Sequence, residues 1–195
     1  MRFSKFSSLA LMAIALAQAA TGGIKEFWQS DKPPSKADRR AAADSFLKQI
    51  APIDDAVPEA SPTQRAWLKR EYDDEIERAG GTYTQRSLLA RESPEFYMVM
   101  AKPTLHQLRT ALADLSSTRQ ITLKREMELW AVAAAAFSNT EGNQAILGLL
   151  DKGVLSKELF GTGPAHEGWQ LNQSLRANII LERIIIPYLR NQLHD

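Results

Sequence analysis

The chain has no cysteine. Disulfide staples, thiol nucleophiles, thiolate metal sites and lipid attachment at a cysteine are therefore excluded. Small extracellular animal domains are more often cross-linked, so the composition fits a bacterial periplasm and a chain long enough to build its own core. Histidine is nearly as scarce. Three occur, His106, His166 and His194, with no H-E-x-x-H and no pair at ligand spacing, so no metal site is expected. An excess of one charge is lacking too. With 24 Lys+Arg against 23 Asp+Glu, nothing in the balance attracts nucleic acid. No G-x-S-x-G, P-loop or dinucleotide fingerprint is present, and no cofactor is expected.

Long apolar runs are missing apart from one, Leu9 to Ala20. Arg2 and Lys5 precede it, Leu9–Leu16 is its compact apolar part, and Ala17-Gln18-Ala19 puts small residues at both positions flanking a secretory cleavage site. A positive head, an apolar middle and an A-x-A end form the signal-peptide pattern. A bilayer span needs roughly 20 apolar residues, and Thr21-Gly22-Gly23 follows directly. The reading is cleavage after Ala19, with residues 1–19 a signal peptide, 20–34 an extended lead-in, and 35–195 one helical domain without a stable membrane span. The expected location is periplasmic or secreted.

Sustained apolar/polar alternation and hairpin turn pairs are also absent, which leaves helices. Ser35, Ser61-Pro62-Thr63-Gln64 and Ser117-Thr118-Arg119-Gln120 read as capped starts. Leu68, Tyr72, Ile76 and Ala79 make one helical stripe, ended by Gly80-Gly81. The prolines of 51–61 predict a loop, and residues 84–91 a short helix. Ser93-Pro94-Glu95 opens a brief element through Phe96 and Val99, helix or buried strand, and Pro103 starts a separate helix bearing Leu105, Leu108, Leu112 and Leu115. The longest helix carries Leu123, Met127, Trp130, Ala134 and Phe137 inward, and Ala133–Ala136 allows a neighbour to approach closely. Ser138 or Thr140 caps the next helix, which Gly153 closes. Trp169 to Leu193 is a last helix interrupted by Pro187, and the apolar Asn178–Ile186 is expected at the bundle centre. The fold class is all-α, an irregular bundle of about six to eight helices.

Three stretches could carry chemistry. Lys69–Arg78 is dense in charge, and its spacings predict a solvated face with Asp74 paired to Arg78 and Arg70. Glu92, before Ser93, is superficially similar to the Glu-Ser of lytic transglycosylases, although Met98-Val99-Met100-Ala101 stands where that family has Gly-Leu-Met-Gln. Such a reading makes Glu92, or Glu167, the general acid of a peptidoglycan-acting hydrolase. The third stretch, Phe160 to Trp169, crowds glycines, a proline and titratable and aromatic side chains between two helices. Loops of that kind bind partners, which marks Thr162, His166, Glu167 and Trp169 as candidate binding residues. The function expected is an exported helical protein that binds another protein of the cell envelope, as an accessory or assembly factor. A cell-wall hydrolase or a secreted effector or inhibitor is the alternative.

Overall fold

A computed structural model describes residues 33–160 and 165–192, with residues 165–167 described in backbone only. The signal peptide, the lead-in up to residue 32 and Thr162 lie outside the described residues. Nine α-helices are joined by two π turns into seven continuous segments, and no strand occurs among the described residues. The first helix, α1, spans Lys36–Ala56. A single longer path contains α2 (Pro62–Leu68), a π turn (Lys69–Asp73) and α3 (Asp74–Arg78). Next come α4 (Gln85–Arg91), α5 (Pro94–Ser116), α6 (Leu123–Ser138) and α7 (Thr140–Asp151). The chain ends with α8 (Ala165–Ile180), a second π turn (Leu181–Ile185) and α9 (Ile186–Gln192).

Local chemistry explains the starts. Ser35 Oγ accepts the Asp38 amide while Asp38 accepts the Ser35 amide, and Ser61 and Gln64 repeat this reciprocal box. Each box satisfies amides that a helix start leaves without partners. Gly80 and Gly81 take φ of 64° and 86°, the left-handed turn expected between α3 and α4.

The centre of the bundle is α5, packed against α1, α6 and α7, while α8 lies across α6 and α7. Met98, Ala101, Leu105, Leu108, Leu112 and Leu115 are buried along α5 at three- and four-residue spacing. Opposite them lie Phe46, Ile50 and Ile53 of α1, Trp130, Ala133 and Phe137 of α6, and Ile146 and Leu149 of α7. At two places α7 touches α5 through glycine. A Cβ on Gly148 would sit 2.7 Å from the Tyr97 ring, and one on Gly142 would overlap Thr104.

Several boundaries differ from the sequence reading. Residues 51–56 continue α1 through Pro52, and residues 94–116 are one helix through Pro103, with no strand. Both prolines are exposed, on the outer side of helices whose inner faces are packed, and each helix survives the lost bond. Ser117 ends α5, and α6 begins later, where Thr122 accepts the Arg125 amide. Ile121 turns toward the core just ahead of that cap. Leu123, in the first turn, is 50 % exposed and lies off the inner face. The α7 cap is Asn139, through the Gly142 amide, not Ser138 or Thr140. Pro187 does not stop the last helix, which runs on beyond a π turn. That segment is also peripheral: Ile180 and Ile184 are buried, but Leu181 and Ile186 are exposed, because α5 already occupies the centre.

Candidate functional site

Of the residues marked in the Phe160–Trp169 stretch, only Trp169 has a described side chain. It is buried, packs edge-on against Phe160 at 5.1 Å, and donates from Nε1 to Asn143 Oδ1 at 3.0 Å. Asn143 is buried too, and its amide donates to the Phe137 and Asn139 carbonyls. Trp169 is therefore a core anchor between α7 and α8. His166 and Glu167 lie in the first turn of α8. A few turns on, Arg176 stacks over Phe46 and Phe137, at 5.3 and 5.7 Å, and bonds Gln49 and Gln173. Burial pushes its pKa down to about 10, so it stays charged at neutral pH.

Glu92 closes α4, is exposed, and accepts the Tyr97 hydroxyl at 3.0 Å. A general acid of that kind sits in an apolar pocket, and Glu92 is an exposed residue at a helix end. His106 is exposed on α5. Among the described residues no three His, Asp or Glu side chains converge as a metal site.

A concavity lies elsewhere, on the hairpin formed by α2–α3 and α4. It has a volume of about 540 Å³ and is lined by Trp67, Glu71, Glu75, Thr84, Arg86 and Leu89, with Gln85 and Ala90. The π turn shapes one wall. Its extra residue shifts the register, so that Lys69 pairs with Asp74 five positions on, at 3.1 Å, rather than Arg70 pairing with Asp74. Arg78 also departs from the expected pairing, bonding the Asp74 carbonyl and the Glu75 carboxylate. The shift frees Glu71 to face α4, where Arg86 grips it with Nε and with Nη2 at 2.6 Å, and Arg70 adds a contact at 3.1 Å. Those bonds, Arg86 first, lower the Glu71 pKa to about 2. Thr84 caps α4 through the Ser87 amide and donates to Glu75 at 3.1 Å. Behind the groove Tyr72 packs on Phe96 at 5.1 Å and on Tyr83 at 6.5 Å, which ties the hairpin to α5.

The carboxylates in the walls are thus paired within the chain, and the open surface is apolar. Leu89 is 68 % exposed and Leu88 47 %. A short helix bearing Leu88 and Leu89 side by side cannot bury both against one neighbour, and Trp67 falls beside the Leu68/Tyr72 stripe. Those were the signals in the sequence for this surface; the π turn that opens it has none. Chemically, the groove offers apolar contact beside carboxylates already engaged by Arg86, Arg78 and the Thr84 hydroxyl.

Compared with protein-family models, curated proteins and solved structures, the chain matches none of them.

Proposed function

We propose that this is an exported helical protein of a bacterial envelope that works by binding another protein, as an accessory or assembly factor, and that the hairpin groove is its docking surface. One observation carries the reading: Leu89, 68 % exposed, stands beside Trp67 at a groove whose charged walls are already neutralised. Large apolar side chains grouped at a concavity are where partners gain most of their binding energy. The paired walls add orientation without a desolvated lone charge. Export rests on Arg2, Lys5, Leu9–Leu16 and Ala17-Gln18-Ala19. Among the described residues no helix is long and apolar enough to cross a membrane.

The test pairs two variants. Leu89→Glu and Trp67→Ala should each keep the wild-type helical circular dichroism spectrum and lose co-purification of the partner from envelope extract. Unchanged recovery with both would remove the groove as the docking surface. Mass spectrometry of the exported protein should find its first residue near Ala20, and an intact Met1 in a washed membrane fraction would overturn cleavage after Ala19.

A further inference from the structure

We propose that a second, separate concavity, at the end of the bundle where α1 begins and α5 stops, binds a phosphoryl group. Its volume is about 210 Å³, below the roughly 300–1,000 Å³ of pockets that hold whole organic ligands. It admits an anionic head group rather than an entire small molecule.

Lys36, Arg40 and Arg119 line it together with Ser117, Thr118 and Gln120, over a floor of Leu115 and Ile121. The one acid in the lining is Glu126, and both of its oxygens are taken by Arg39, at 2.6 and 3.1 Å. That pair is bidentate and nearly buried, so the carboxylate has little charge left for the other cations. Arg40 is braced by one bond, from Nε to the Ser116 carbonyl at 2.9 Å, which serves the exposed end of α5 and leaves the rest of its guanidinium fork open. Lys36 and Arg119 have no hydrogen bond or ion pair with a described residue.

What sets this place apart is the grouping: exposed Lys124, Lys152, Lys157 and Arg190 have no described partner either, but here three cations line one concavity. Lys48, Arg65, Lys69, Arg78, Arg86 and Arg125 each have a carboxylate within 4.0 Å. Three cations sharing one small concavity repel one another, and no described acid offsets them. A bound anion would. Charge and shape select the phosphoryl group. It carries about −1.5 to −2 at neutral pH and three acceptor oxygens, which suits two planar guanidinium forks, one ammonium and the Thr118 hydroxyl better than a single carboxylate does.

Two probes separate the sources of such a group. Inorganic phosphate is titrated into the purified protein by calorimetry, and co-sedimentation is measured with vesicles containing phosphatidic acid, a lipid phosphomonoester, against phosphatidylcholine vesicles. Each is repeated with the Lys36→Gln/Arg119→Gln variant and with Lys152→Gln/Lys157→Gln, which removes the same charge from another part of the surface. Circular dichroism melts establish that all three proteins are folded, and ³¹P line broadening by the wild type gives a reading that needs no variant.

Saturable phosphate binding, or binding to the anionic vesicles alone, is expected. It should weaken about tenfold or more in the first variant and less than twofold in the second. Phosphate binding identifies a soluble phosphate or ester, and vesicle binding without it identifies a lipid head group. Failure of both probes with the wild type, or equal weakening by the two variants, would overturn the proposal.

Discussion

Trp169 Nε1 donates to Asn143 Oδ1 at 3.0 Å, with both residues buried where α7 meets α8. The indole therefore fastens the last helix to the core, and its place beside a glycine-rich loop reflects packing. Replacing Asn143 by Leu leaves the indole N–H without its acceptor and removes the donors to the Phe137 and Asn139 carbonyls. Each buried polar group left unpaired costs about 1–3 kcal/mol. The urea midpoint of Asn143→Leu should fall clearly, and an unchanged midpoint would mean that the bond contributes little.

Trp130 is fully buried on α6, and its Nε1 has no hydrogen-bond partner among the described residues. Two substitutions there should part company. Trp130→Ala loses the ring and leaves a cavity, at about 3–5 kcal/mol. Trp130→Phe keeps most of the apolar contact and removes the unpaired N–H, so its loss should be well under half as large. Equal losses, measured by chemical denaturation, would show that the ring volume is not what Trp130 supplies.

Asp54 is 1 % exposed and pairs with Lys102 Nζ and Arg109 Nη1, both at 3.1 Å, joining the end of α1 to α5. Without the Asp54 carboxylate, Lys102 keeps only the residue-54 carbonyl and Arg109 keeps Asp55. The loss should fall below the about 3–5 kcal/mol of a fully buried pair, yet exceed that of a pair in water. The Asp44–Lys48 pair lies in water, where such pairs contribute about 0–1 kcal/mol. Asp54→Ala should therefore unfold at a lower denaturant concentration than Asp44→Ala, and matching midpoints would contradict the buried-pair account.

These contacts show which parts of the fold were legible in the chain. The caps at Ser35 and Ser61 and the turn at Gly80-Gly81 were readable because each is settled within four residues by a side-chain acceptor or a left-handed backbone. Pro52 and Pro103 misled because packing outweighs one lost bond: Ile50 and Ile53, and Ala101 and Leu105, are buried on either side of them. Ser117 misled because Thr122 offers a competing cap and leaves Ile121 free to reach the core. Asn178–Ile186 looked central because apolarity records what could be buried, not which helix wins the middle. The groove was least legible of all. Glu71 and Arg86 are fifteen residues apart, and they meet only because a π turn rotates one wall.

The Glu71 pair also sets a pH dependence. Arg86 and Arg70 hold the Glu71 pKa near 2 against an ordinary 4.5. Its folded-state pKa is depressed, so its contribution is complete above about 4.5 and is lost as pH falls toward 2. Glu71→Gln should be less stable than the wild type at pH 7, and the two should converge by pH 2. A gap that stays constant across this window would remove the ion pair as its cause.

The central claim is that the α2–α4 hairpin docks another protein. It is tested most directly by a photo-activatable amino acid placed at position 89 in living cells, with position 106, exposed on α5, as the control. Irradiation should give one discrete adduct heavier than the protein itself from position 89 and none from position 106. No adduct from position 89, or the same pattern from both positions, would contradict it.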